Sequence, residues 1–120
     1  MEENSCVMMI KNSKYLKNKS IEILLNLCIL IKNYQLKKIY IHISELLNDE
    51  LYNLLSAIKY KYKDIEVVGY IEKAQTQFMD LITQNYRCDK TIIYENKSQF
   101  MSHNFFIVIK KNKVDIISNS

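Results

Sequence analysis

Apolar and polar positions along the chain follow two periods, and the switches between them mark its elements. From Lys37 to Ser44, Ile39, Ile41 and Ile43 alternate with Tyr40, His42 and Ser44, which is the period of a strand. Leu51, Leu54, Leu55, Ile58 and Tyr62 then recur at spacings of three and four, the period of a helix, predicted over Asn48 to Tyr62. Asp49 and Glu50 fall in its first turn and Lys59, Lys61 and Lys63 at its end, both complementing the helix dipole. Strand chemistry returns in Asp64 to Ile71. Strand, helix and strand within about 35 residues predict a βαβ unit with parallel strands and a right-handed crossover.

The flanks extend this plan. Met1 to Ser5 is polar and reads as a frayed tail, and Cys6 to Ile10 as a short edge strand. A basic turn region follows from Lys11 to Lys19, in which Tyr15-Leu16 suggests a second short strand, and Ser20 is placed to cap the next helix. That helix, Ile21 to Tyr34, is apolar around most of its circumference, with Glu22, Asn26 and Asn33 as a narrow polar strip. Such a helix needs cover on more than one side, either from the chain's own ends or from a second subunit in a homodimer. A third helix is predicted from Ala74 to Tyr86, with Ala74, Phe78, Leu81 and Ile82 on one face, then a strand over Thr91 to Tyr94. Lys97 to Ser102 is a short helical or turn segment, with Phe100 and Met101 as its apolar contacts. Phe105 to Ile109 and Val114 to Ile117 predict an antiparallel hairpin over residues 105–117, with Asn112 supplying a left-handed turn residue. The expectation is one α/β domain over residues 1–120: a mixed sheet with a parallel βαβ centre and a C-terminal antiparallel hairpin.

Composition narrows the function classes. The 18 Ile, 12 Asn and 16 Lys against one Arg, one Gly and no Pro follow AT-rich coding sequence, so lysine richness by itself carries no functional weight. Net charge is +4, distributed as seven lysines against three acids in residues 1–38, four against seven in 39–86, and six bases against three acids in 87–120. That balance favours anionic partners weakly, and lacks the basic stripe of a dedicated nucleic-acid binder. Three widely spaced cysteines form neither a disulfide framework nor a metal knuckle, which points to a reducing, cytoplasmic setting. The apolar run Ile21 to Ile31 is about 11 residues against the roughly 20 that span a bilayer, so no membrane association is expected.

Candidate chemistry is sparse. The only glycine, Gly69, sits inside a strand, so no phosphate-cradling glycine loop exists and no cofactor is implied; it marks a bulge or a close helix contact. His42 shares a sheet face with Tyr40 and Ser44, and His103 reads as a solvated loop residue; neither has the local spacing of a metal site. Cys88 beside Arg87 is the best-placed thiol, without a recognisable base. Lys59-Tyr60-Lys61-Tyr62-Lys63 interleaves aromatic rings with positive charge, as surfaces that stack bases do. With Lys14, Lys17 and Lys19 it defines a nucleic-acid-binding alternative.

The succession Ile39 to Ser44, the Leu-rich helix, Ile65 to Ile71, a helix, then Asp89-Lys90-Thr91-Ile92-Ile93-Tyr94-Glu95-Asn96-Lys97-Ser98 with apolar Phe100-Met101 resembles a STAS domain, the sulfate-transporter and anti-sigma-factor-antagonist module. It covers about residues 6–102 as a pattern. The family's switch is an Asp-Ser or Asp-Thr pair opening the second helix, followed by Gly and Leu. Asn48-Asp49-Glu50-Leu51 stands there, with Glu50 near the phosphorylated position, no hydroxyl and no Gly. The resemblance implies a STAS-like strand order, where composition alone leaves a flavodoxin-like one open. It also implies a non-enzymatic regulatory module that docks to a protein partner. The surface expected to do so is the approach to the second helix: Glu45, Asn48, Asp49, Glu50, Tyr52 and Asn53. A small enzyme using His42, His103 or Cys88 is the remaining reading.

Overall fold

The computed structural model describes residues 2–10, 12–43, 48–96 and 103–118. Six strands, β1 (Glu2–Ile10), β2 (Lys38–His42), β3 (Glu66–Glu72), β4 (Lys90–Tyr94), β5 (His103–Ile109) and β6 (Val114–Ser118), form one sheet in the order β4-β3-β2-β1-β5-β6. The first five run parallel, and β6 closes the edge antiparallel to β5. Three helices, α1 (Ser20–Tyr34), α2 (Asp49–Lys61) and α3 (Met79–Tyr86), connect the first four strands. The βαβ unit read from the sequence is therefore present, with Lys38 to His42 registered against Glu66 to Tyr70.

β1 to β4 lie side by side in chain order, so each crossover carries its helix to the same face. The main core joins Ile23, Leu27 and Leu30 of α1, Leu51, Leu54, Leu55 and Ile58 of α2, and Ile82 and Tyr86 of α3. They pack onto Cys6, Met8, Ile39, Ile41, Val67 and Ile107 of the sheet. The opposite face gathers Val7, Tyr40, Val68, Tyr70, Phe106 and Val108 into a second cluster to which no described helix contributes. A flavodoxin-like order would instead divide the helices between both faces.

Several local expectations are corrected. β1 is not an edge strand: it pairs with β2 and β5, because Cys6 to Ile10 is apolar on both parities and needs cover on both sides. It begins at Glu2, so residues 2–5 are not a frayed tail; a register shift separates Glu2 from Cys6. Tyr15-Leu16 belongs to a 3₁₀ turn over Ser13–Leu16, capped by the Asn12 side chain accepting from the Lys14 N–H. Left-handed Asn18 then turns the chain so that Lys19 holds the cap position of α1, and Ser20 is already helical. In the third connection, a 3₁₀ turn over Lys73–Phe78 precedes α3. There the Glu72 and Gln75 side chains form a reciprocal capping box, and the Thr76 hydroxyl donates to the Lys73 carbonyl, which tightens the turn. The phase shift leaves Ala74 exposed and Leu81 half in water, while Ile82 and Tyr86 are buried. Asn112 has no positive φ; the hairpin closes through the Lys110 N–H donating to the Lys113 carbonyl at 2.9 Å.

Gly69 marks neither a bulge nor a helix contact. A Cβ there would meet Ile43 Cδ1 at 3.0 Å and Cys88 Sγ at 3.3 Å, so its hydrogen makes room for neighbouring side chains under the helical layer. Glu45 and the Lys97–Ser102 segment lie outside the described residues. Among the described residues, no helix is long and apolar enough to cross a membrane.

Candidate functional site

The end of β2 and the start of α2 deliver the acidic tip expected to dock a partner. Asn48 caps α2, its Oδ1 accepting from the Leu51 N–H at 3.0 Å, so this side chain is committed to the helix. Asp49, Glu50 and Asn53 are exposed, and neither carboxylate has a basic partner among the described residues. Tyr52 is half-buried beneath the Arg87 guanidinium, 5.6 Å from its ring centre. The guanidinium expected from the sequence to lower the Cys88 pKa lies over the Tyr52 ring. Cys88 is buried, and burial together with the neighbouring Asp89 carboxylate pushes its thiol up to about 12. Burial does the same to Cys6. These thiols stay protonated and serve as small apolar groups.

α1 presents a different surface. Its buried face is Ile23, Leu27 and Leu30, yet Ile21, Leu25 and Ile29 are 76%, 58% and 48% exposed and follow one another at intervals of four along its outer side. The chain covers one side of this two-sided apolar helix and leaves the other in water.

The basic set separates. Lys59 donates to both Asp89 oxygens at 2.9 and 3.2 Å and to the Ile65 carbonyl at 2.9 Å, tying α2 to the approaches of β3 and β4. It is a structural clamp. Asp89 also accepts from the Val67 N–H at 2.7 Å. Lys19 donates to the Tyr15 carbonyl at 2.6 Å. Tyr60, Lys61, Lys63, Lys14 and Lys17 remain exposed.

The face opposite the three helices brings together what sequence spacing did not. Glu72 and Tyr94 are registered across β3 and β4, and His42 is registered with Tyr70 one row before them. Glu72 can only accept, so the Tyr94 hydroxyl donates to Glu72 Oε1 at 3.0 Å. Its oxygen can then only accept from His42 Nε2–H, also at 3.0 Å. Burial lowers the His42 pKa below 6.5, with Glu72, 3.9 Å away, opposing; burial and the Glu72 bond push Tyr94 up to about 12. Deeper in the face, Tyr40 stacks on Tyr70 at 5.0 Å, and Tyr70 Oη lies 3.2 Å from His103 Nε2. His103 Nδ1 lies 2.8 Å from Ser5 Oγ. His103 is thus 1% exposed at the start of β5, not a solvated loop residue; its partner Ser5 is too distant in sequence for any local pattern to reveal. His42 meets a carboxylate through Tyr94, an arrangement able to relay a proton between imidazole and Glu72. Among the described residues no group of three His, Cys, Asp or Glu could hold a metal ion.

Compared with protein families, curated proteins and solved structures, the chain has no significant match to any of them.

Proposed function

We propose that this protein is a non-enzymatic docking module that acts by binding a protein partner, the regulatory role that the STAS resemblance implies. The observation that carries this reading is the outward row Ile21, Leu25 and Ile29, which the fold leaves in water on a helix whose other face is core. Three exposed apolar side chains repeated along one helix face support an interaction surface there. The acidic tip at Asp49 and Glu50, where α2 opens, gives the partner a charged register. The resemblance puts Glu50 near the family's phosphorylated position, with no hydroxyl there, which supports docking without a phosphorylation switch. A homodimer through α1 is one form such docking takes. The test is co-purification with wild-type bait, with Leu25→Glu, and with Asp49→Lys plus Glu50→Lys. Partner recovery is expected to fall at least tenfold in Leu25→Glu and several-fold in the charge reversal. Equal recovery with all three baits removes both surfaces.

A further inference from the structure

At the amino edge of the sheet, where α1 and α2 both end, the chain forms an open cleft of about 310 Å³. Its floor is Ile31, Leu36, Tyr62 and Ile65, and its rim carries Lys37, Lys61 and Lys63 against a single acid, Asp64. Lys37 comes from the turn before β2, and Lys61 and Lys63 from the end of α2 and the turn before β3. Five lysines elsewhere are matched to carboxylates: Lys38 and Lys90 to Glu66, Lys59 to Asp89, Lys110 and Lys113 to Asp115, while others, such as Lys14, Lys17 and Lys111, are exposed away from this cleft. None of the three rim lysines has a carboxylate partner among the described residues. The α2 dipole and the Tyr62 ring, 5.5 Å from Lys61 Nζ, account for Lys61 in the last turn, but neither accounts for Lys37 or Lys63, which lie outside any helix. Like charges gathered over an apolar floor repel one another, and an anion between them relieves that repulsion.

We propose that this cleft binds a small organic phosphate, the phosphate held among Lys37, Lys61 and Lys63 and an apolar or aromatic body laid on Leu36 and Ile65. Its volume sits at the lower end of the about 300–1,000 Å³ usual for ligand sites, which suits one nucleotide-sized molecule. The cleft lies at the opposite end of α2 from Asp49 and Glu50, and its lining includes none of Ile21, Leu25 and Ile29, so variants at Lys37 and Lys63 test it separately from the docking residues.

The experiment is calorimetric or NMR titration of the full chain at low and physiological salt with three probes: adenosine monophosphate, inorganic phosphate, and a single-stranded hexanucleotide without a terminal phosphate. Adenosine monophosphate is expected to saturate and to weaken with salt. Lys37→Gln and Lys63→Gln should each weaken it about fivefold, the worth of one partly exposed charge contact. Lys111→Gln, on the hairpin, should leave it unchanged. Inorganic phosphate should bind at least about tenfold more weakly, lacking the apolar contact. No saturable binding at low salt, equal weakening by Lys111→Gln, or inorganic phosphate binding as well as the nucleotide overturns the proposal. Hexanucleotide binding tighter than the mononucleotide overturns it in favour of a nucleic-acid surface. These lysines are exposed, so an unchanged thermal midpoint confirms that each variant is folded.

Discussion

His42 shows how one side chain ties acidity to stability here. Its folded-state pKa lies below 6.5, because burial disfavours the imidazolium more than Glu72 favours it. The unfolded chain therefore binds the proton more readily. The contribution of neutral His42 is complete above about pH 6.5, declines as pH falls below that, and levels off beneath the depressed folded value. The thermal midpoint should drop between pH 7 and pH 5, and the drop should be shallower in His42→Gln; parallel curves for the two proteins would assign the slope elsewhere. Asp115 acts in a separate window. Bonds from Lys110 and the charges of Lys110 and Lys113 hold its pKa below 3.8, so its contribution is present above that value and fades only in stronger acid. At this scale the sequence was partly legible: the shared face of Tyr40 and His42 follows from alternation alone. The partners Tyr94 and Glu72 do not, since nothing local states the register between parallel strands.

Among the elements, α2 was the most readable: acids open it, Lys59 and Lys61 close it, and Leu51, Leu54, Leu55 and Ile58 point to the core, while the Asn48 cap and the helix's end before Tyr62 were found only in the fold. Local chemistry and tertiary packing agree there. α1 was readable as a helix but not as a surface, since apolar residues all round say that cover is needed and not what provides it. In the fold its core-facing side is covered by the sheet, and its outer row is not. If a second copy covers that row, light scattering will give twice the chain mass for wild type and the single-chain mass for Leu25→Glu. The variant should still unfold in one cooperative transition, with a midpoint lowered only by the lost linkage to association and no longer dependent on protein concentration. A monomeric wild type at high concentration rules out the homodimer and leaves a different protein as the occupant.

For the whole molecule, the decisive feature is where the C-terminal hairpin goes. β5 pairs with β1, on the side away from β2, placing Phe105, Ile107 and Ile109 in the helical core and Phe106 and Val108 in the opposite cluster. The stretch read from the sequence as resembling a STAS domain ends before it, yet the hairpin is integral to this core. A chain ending at residue 102 should therefore lose cooperative thermal unfolding, because β1 would lose one neighbour and both clusters their β5 side chains. A sharp two-state transition in that truncation would show the hairpin to be an accessory. Placement at this scale is set by long-range packing, and a hairpin's own residues specify only its turn and its two faces.

Period and apolar parity, which act between residues a few positions apart, determined the three helices' existence, the parallel βαβ centre and the closing hairpin, but not the 3₁₀ turns at Ser13–Leu16 and Lys73–Phe78 or the cap of α1. Strand order, the gathering of all three helices on one face, the burial of His103 against Ser5, and the meeting of Lys37 with Lys61 and Lys63 were decided only in three dimensions. Each of these joins residues far apart in sequence. Such contacts are chosen by the packing of the whole chain, and no short-range preference encodes them.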